Sequence, residues 1–477
     1  MNPIPCLVSN TTMQLKSVPH RRIAPRLIIH GGAGNITPST LPPELYQEYR
    51  ASLLTIVSNT YHYLLQDHNA LDTATFAVSQ LENDPLFNSG RGSVFTRDGT
   101  NELEASIMVS RGKKKRGVGV MGLRHVKNPI KLAREMLIRG EQDLEGGSGE
   151  HRGPMADRDS DFSPFALPGG AQSHSQLYGE TAEKLAAEWG LEMVNQKYFF
   201  VQKRWDEHVA GLEREKKMKQ ATWDAAEHVS QGTVGAVAMD ADGLCCCATS
   251  TGGMTNKLPG RVGDTPTLGA GYWAEEWEEK FPAVEGENKS LSSSILILSD
   301  ALRGLIANCQ PSLAAYIPIP TQAEIGLLAK GDKVVRATAI SGTGNGDSFL
   351  RVNAVRTASA IVRYRGSTPL QNAITEITGP GGELVKSAGD RWQKTGEGEG
   401  GMIGIESKTI YDKDGTIKTV SSEVVYDYNC GGMFKAYINR KGKVVCRVWK
   451  PGQYEGLEAY EGEGVEHDVQ EWTAEKV

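Results

Sequence analysis

The sequence predicts an α+β protein of layered antiparallel sheets flanked by helices. Three observations carry that expectation. Segments with period-two alternation recur along the chain, helical segments of period 3.6 lie among them, and clean strand–helix–strand alternation is scarce. No fixed-period repeat marks a solenoid. At 477 residues the chain can form one large or two ordinary domains. Its apolar share of 39% is low and its 54 glycines are many. A normal core carrying long polar insertions and many turns has that composition.

The elements follow in order. Residues 1–24 read as a flexible leader, and Arg26 to Ile29 open an apolar strand that runs into HGGAGNI. Residues 41–81 carry one helical pattern, with Leu53, Leu54, Val57, Tyr61 and Leu64 on a stripe. A turn-rich loop spans 83–99. NELEASIMVS and RGVGVMG then read as a hairpin, and 128–139 as a helix led by Asn128-Pro129. Residues 140–170 are polar, rich in Gly and Pro and aperiodic, so a disordered insertion is expected. A charged helical stretch covers 180–219, its charges read as a solvated face. Residues 232–249 form two strands around the turn at 241–243. Residues 275–336 read as a second insertion with a helix-like section. A strand and loop follow at 337–351, a helix at 351–363, and strands at 402–408, 419–427 and 434–448.

Charge and cysteine content exclude several classes. The net charge of −6 gives no basis for a nucleic-acid partner. No apolar run approaches the ~20 residues that span a bilayer, so no membrane partner is expected. The first acidic residue is Glu44, which leaves the leader basic and hydroxyl-rich. Its prolines at 3, 5, 19 and 25 oppose the amphipathic helix of a mitochondrial transit peptide. A cytoplasmic location is therefore expected ahead of a mitochondrial one. The seven cysteines lack a metal-binding C-x-x-C pair. Cys245, Cys246 and Cys247 alternate along one strand and cannot all face one ion, so they read as small buried apolar residues.

The segment from Gly232 to Ala274 carries the chemistry. An ordinary threonine hydroxyl is a weak nucleophile, but an N-terminal threonine has its own base, an α-amine of pKa near ~8. Thr233 qualifies only if the chain is cut between Gly232 and Thr233. Its own attack on the Gly232 carbonyl can make that cut, and glycine tolerates the strain involved. The plainer reading of Gly-Thr-Val is the start of a strand. Context weighs against it. TSTGG places Thr249, Ser250 and Thr251 at a strand end, where hydroxyls can hold the nucleophile. GRVGD supplies Arg261 for a carboxylate and Asp264 for an ammonium group, together a reader of an amino acid's zwitterionic end. SGTGNGD offers Thr343, Gly344 and Gly346 as hydroxyl and bare backbone, suited to an oxyanion hole. The plain counterparts are a turn, a surface ion pair and an anion-binding loop.

The chain resembles the plant-type asparaginases and isoaspartyl peptidases, N-terminal-nucleophile hydrolases that use threonine. IIHGGAGNI at 28–36, the stretch 81–105, the 232–274 block and SGTGNGDSF at 341–349 carry the likeness, with a weaker echo in YNCGGM at 428–433. The resemblance implies a four-layer αββα sandwich with long polar insertions. It implies one domain cut into an α part, 25–232, and a β part, 233–477, two such units pairing as a dimer. It makes Thr233 the nucleophile, Thr251 its hydroxyl partner, and Thr343 and Gly344 the oxyanion hole. Arg261 would hold the substrate carboxylate, with Asp264 and the Gly346 carbonyl holding its ammonium group. Asn88 would support the site. No catalytic cofactor is implied. A structural sodium is, held by the backbone carbonyls of Leu81, Glu82, Asp84, Phe87, Ser89 and Arg91, hard oxygen donors suited to a hard cation. Arg91 departs from the small or aliphatic residue usual there.

The expected activity is hydrolysis of L-asparagine, of β-aspartyl dipeptides, or of both, through an acyl-Thr233 intermediate. Two alternatives keep the scaffold: a glycosylasparaginase, or a threonine-type aspartyl endopeptidase. Both usually carry Asp before the nucleophile, where this chain has Gly232. A third is a non-catalytic binding protein, for which the insertions are the only support.

Overall fold

The computed structural model describes residues 23–113, 116–144, 174–217, 232–279, 329, 331–366 and 368–473. Most of the leader, of insertion 140–170 and of insertion 275–336 lies outside these residues. The leader's last residues are not loose. Ile23 is buried, and its N–H donates to the Ala241 carbonyl at 2.9 Å.

Strand β1, Arg26–Gly34, lies inside a nine-stranded sheet, fourth from one edge. On one side it pairs antiparallel with β11, Gly432–Ile438, which leads outward to β12, Val444–Arg447, and β13, Glu466–His467. On the other it pairs antiparallel with β5, Val234–Met239, followed by β6, Cys245–Thr251, and β2, Leu103–Val109. The edge comprises β3, Gly117–Leu123, and the short parallel β4, Gln176–Tyr178. A second sheet has the order β10-β9-β8-β7. Its strands are β7, Tyr272–Glu279, β8, Lys333–Gly344, β9, Gly400–Tyr411, and β10, Ile417–Tyr428.

Three apolar clusters explain the stacking. In the first, Leu27, Ile29, Cys246 and Ala248 of the large sheet pack against Leu53, Leu54, Val57, Ala74 and Val78. Those partners lie on helices α1, Pro43–Leu65, and α2, Ala70–Asn83, and α3, Pro129–Leu144, packs beside them. In the second, Ile28, Val237, Cys245 and Cys247 meet Ala339, Ile403 and Ile405 of the second sheet. The third joins Ile340 and Met402 to the helices Ala354–Tyr364 and Leu370–Thr378. Each sheet therefore has one face on helices and one on the other sheet, as period-two alternation requires. The cysteine run obeys it: Cys245 and Cys247 face the second sheet and Cys246 the helices.

Several expectations need correction. The periodic stretch 41–81 is two helices. Asn69 caps the second, its side chain accepting from the Asp72 N–H at 2.9 Å, and the Asp240 carboxylate takes the Ala70 N–H at 2.9 Å. The stretch 180–219 also divides, into α4, Gly179–Glu188, and α5, Gln202–Lys217. Helix α5 is more than a solvated face. Its Arg204 is buried and donates to the carbonyls of Leu86 at 3.1 Å and Gly92 at 3.0 Å. Residues 275–279 and 333–336, expected within an insertion, are paired strand: Glu275 sits opposite Thr338, and Glu279 opposite Val334. The helix expected at 351–363 breaks at Asn353, whose φ is 47°. The segment 434–448 is two strands joined by a turn.

Lys435 on β11 is fully buried between the sheets. Its ammonium lies 4.8 Å from the ring centres of both Tyr426 and Tyr428 and 3.3 Å from the carbonyls of Met433 and Val448. Burial pulls its pKa down to about 7, with Glu463 opposing. A lysine whose folded pKa lies below its unfolded value destabilises the fold at low pH, and this penalty is relieved as pH rises from about 7 towards 10.5. Lys435→Met should therefore melt above the wild type at pH 7, and its advantage should shrink by pH 10. An advantage unchanged with pH in paired melting curves would contradict this account.

Candidate active site

Strands β1, β5, β8, β9 and β11 bring the ends at Gly34, Val234, Gly344, Gly400 and Gly432 together at one end of the space between the sheets. The ladder between β5 and β6 sets Val234 opposite Ser250 and Gly235 opposite Thr249. One rung further, Thr233 falls opposite Thr251, which itself pairs with Glu104. Residues on one rung share a face, so these three side chains face the second sheet. Thr233 is buried, its hydroxyl 3.3 Å from that of Thr265. The Thr251 hydroxyl accepts from the Gly253 N–H at 3.0 Å.

Ser250, grouped with Thr249 and Thr251 from sequence, faces the other way. Its hydroxyl donates to Glu82 on α2 at 2.8 Å. Thr249 does face the second sheet, 3.1 Å from the Ser341 hydroxyl, and Ser341 lies 2.8 Å from His30 Nε2. Burial holds His30 at a pKa of about 3, so its ring is neutral. The Thr233 backbone beside the ring opposes that shift.

Gly232 is required by crowding. A Cβ added there would stand 2.6 Å from Ala33 N and Gly32 Cα and 2.7 Å from Thr343 Oγ1. Its φ is not among the positive ones. The glycine thus permits close approach, whereas the sequence suggested tolerance of backbone strain. The same crowding would exclude an aspartate before Thr233. Thr343 faces this peptide from β8, fully buried, its hydroxyl without a partner among the described residues. Gly344 follows with φ 144° and packs against the Glu399–Gly400 backbone too closely for any Cβ.

Arg261 and Asp264 converge on Gly346. A Cβ there would lie 2.6 Å from Asp264 Oδ1 and 3.1 Å from Arg261 Nη2. The two are not paired as a surface bridge. Arg261 reaches Asp347 at 3.3 Å, and Asp264 Oδ2 is buried without a partner among the described residues. Burial lifts the Asp264 pKa to about 7, partly opposed by Arg261. Glu104 supports the loop by accepting from the Gly263 N–H at 3.3 Å, and Lys257 stands 3.8 Å from that carboxylate. An unmet buried polar atom costs about 1–3 kcal/mol. Two of them, Thr343 Oγ1 against Gly232 and Asp264 Oδ2 in the loop whose next residue, Thr265, meets Thr233, suit a polar ligand bearing an oxyanion and an ammonium group.

Asn88 stands behind the rung. Its side chain donates to the Gly253 carbonyl at 2.8 Å and accepts from the Val94 N–H at 3.0 Å. Its loop closes on itself where the Glu82 carbonyl accepts the Arg91 N–H at 2.7 Å and the Asp84 carbonyl the Phe87 N–H at 3.4 Å. A Cβ at Gly92 would meet the carbonyl oxygens of Pro85 at 2.5 Å and Phe87 at 2.7 Å, so backbone oxygens converge here. Of the expected sodium ligands Leu81, Glu82, Asp84, Phe87, Ser89 and Arg91, the Phe87 carbonyl is among these converging oxygens, and backbone oxygen is the donor a hard cation takes. Among the described residues no cluster of three His, Cys, Asp or Glu side chains could hold a metal ion.

Sequence reasoning assigned no role to Thr265 or His30. Thr265 directly follows Asp264, but only the folded loop turns its hydroxyl to Thr233. His30 stands within the quoted HGGAG, yet its link to Ser341 spans more than three hundred residues of chain.

A family model described as asparaginase matches residues 23–150 and 170–284. An isoaspartyl peptidase of Escherichia coli is 38% identical over 249 residues, covering 52% of this chain and 67% of its own. A probable isoaspartyl peptidase/L-asparaginase of Arabidopsis thaliana is 28% identical over 447 residues, covering 89% and 98%. A plant-type L-asparaginase of Pyrococcus furiosus is 34% identical over 256 residues, covering 52% and 70%. With the family model matching half of its length, this chain belongs to the asparaginase family.

Proposed function

We propose that this protein is a threonine amidohydrolase that cuts itself before Thr233 and then hydrolyses L-asparagine, β-aspartyl dipeptides, or both. One observation carries the reading: the Gly232–Thr233 peptide lies against the unpartnered Thr343 hydroxyl, while Arg261 and Asp264 meet at Gly346. The names of the related proteins agree with these substrates. The stacking of helices on two facing sheets is taken as the αββα sandwich of N-terminal-nucleophile hydrolases, with 25–232 and 233–477 as the two parts and a dimer of cut units as the assembly.

In self-cleavage the Thr233 hydroxyl attacks the Gly232 carbonyl, and the acyl group passes from nitrogen to oxygen. Water hydrolyses the ester, leaving the Gly232 carboxylate and a free Thr233 amine. That amine then takes the hydroxyl proton as Thr233 attacks the substrate's side-chain carbonyl. Oxyanion charge falls on the Thr343 hydroxyl and the Gly344 N–H. Ammonia or an amino acid leaves with the proton from the Thr233 ammonium. Water then attacks the acyl-threonine and releases aspartate. Thr251 and Thr265 orient the nucleophile, and Arg261, Asp264 and the Gly346 carbonyl hold the substrate's α-carboxylate and α-ammonium. Asn88 fixes the loop behind. A sodium ion on the 81–91 carbonyls would stiffen that loop and take no part in bond breaking. The crowding at Gly232 disfavours the two alternatives that place Asp before the nucleophile.

Intact mass of the active protein should show fragments of 232 and 245 residues, the second beginning at Thr233. Thr233→Ala should remain one chain without activity; an uncut, active variant would end the scheme. Because Asp264 must be ionised to hold an ammonium group, kcat/KM should rise with pH through about 7. Asp264→Asn should lose that limb and fall about 10- to 100-fold in kcat/KM, the worth of one charged hydrogen bond at about 1.5–3 kcal/mol.

A further inference from the structure

We infer that Glu399 sets the leaving-group preference of this site, favouring substrates whose departing group is neutral or cationic over those that release an anionic amino acid. The inference rests on the amidohydrolase reading above.

Strand β8 carries Thr343 and Gly344 and lies between β7 and β9. On the β7 flank the Gly342 N–H donates to the Gly271 carbonyl at 2.8 Å, and a Cβ at Gly271 would lie 2.5 Å from the Asp264 carbonyl oxygen. The zwitterion reader therefore occupies the β7 side. On the β9 flank Gly344 pairs with Gly400, and the Asn345 N–H donates to the Glu399 carbonyl at 2.8 Å. A substrate held by its α-end on the β7 side, with its acyl carbon at Thr233, directs its departing nitrogen across β8 towards Glu399.

Hydrogen bonds pin the segment around Glu399 at this end of β9. Thr343 pairs with Gly401 and Ser341 with Ile403, and Ile403 and Ile405 face the large sheet. Glu399 itself precedes β9, and Asn429 holds the residues on either side of it, its side chain donating to the Gly398 carbonyl at 2.8 Å and accepting from the Gly400 N–H at 3.0 Å, which sets Glu399 against the 429–430 segment. Its charge reaches Cys430, adding to the burial that lifts this thiol to about 12, and Cys430 borders the Gly34 backbone at the end of β1. Ala33 and Gly32 of that strand end press on Gly232.

Glu399 also lacks a counter-ion. Among the described residues no lysine, arginine or histidine pairs with it, and burial alone raises its pKa. The contrast with Glu397 is direct, since Glu397 is bound by both Arg351 and Arg391 at 2.8 and 2.7 Å. An unpaired, half-buried carboxylate beside a departing group selects by charge. Asparagine releases neutral ammonia. β-Aspartyl-alanine releases an amino acid whose carboxylate is repelled, whereas in β-aspartyl-lysine the side-chain ammonium restores attraction. Two like charges ~6 Å apart in a partly buried setting are enough to change a rate on the order of 10- to 100-fold.

The test is kcat/KM of the cut enzyme on L-asparagine, β-aspartyl-alanine and β-aspartyl-lysine. The wild type should prefer β-aspartyl-lysine to β-aspartyl-alanine by about tenfold or more, and Glu399→Gln should bring that ratio near one. A ratio near one in the wild type, or one unchanged in Glu399→Gln, overturns the inference. Should Glu399→Gln fail to fold, salt titration of the wild type decides: raising ionic strength should shrink the ratio, and a salt-independent ratio counts against Glu399. A wild type that turns over none of the three substrates defeats the amidohydrolase reading itself.

Discussion

The antiparallel ladder between β5 and β6 governs which way Thr233 faces, because neighbouring rungs send their side chains to opposite faces. With Val234 opposite Ser250, the rung of Thr233, Thr251 and Glu104 opens towards the second sheet. A slip of one residue would turn Thr233 to the helices, where Ser250 and Glu82 now meet. The apolar pattern prevents that slip. Val237 and Met239 belong to the core between the sheets, Ala236 and Ala238 to the core under the helices. The placement of one hydroxyl thus depends on ordinary side-chain burial along the strand that follows it.

Close approach is the second constraint. Gly232 and Gly344 stand where neighbouring backbone leaves no room for a Cβ, and a Cβ at Gly346 would displace the Asp264 carboxylate. Packing this tight positions groups without help from flexible side chains. It also leaves Asp264 buried with one oxygen unmet among the described residues, and that burial raises its pKa. Glu104 and Lys257 form a buried support under the same loop, so Arg261 and Asp264 rest on a rigid base.

Strand identity was legible where alternation is strict, as in Thr233 to Met239 and in the cysteine run. Arg261, Asp264 and Thr343 were legible because their residue types stand at short spacings in glycine-rich loops. Helix boundaries were less so. The break at 66–69 depends on Asn69 and on Asp240, which is distant in sequence, and the break at Asn353 on a left-handed backbone. Charge misled at α5, where Arg204 is buried because loop carbonyls accept from it. His30 depends on the meeting of distant strands, Thr265 on the folded loop and Glu399 on the hold of Asn429 on its neighbours, none of which a local pattern encodes.

The order of strands in the large sheet bears on what a break after Gly232 would do. β1 lies between β11 and β5, and β2 lies beside β6. Strands from before and after residue 232 meet at three places in the sheet, β11 with β1, β1 with β5 and β6 with β2, each knitted by backbone hydrogen bonds. The two polypeptides could not drift apart without tearing the centre of the sheet. A severed molecule would therefore unfold as one cooperative body, its new amino terminus held as firmly as an uncut strand.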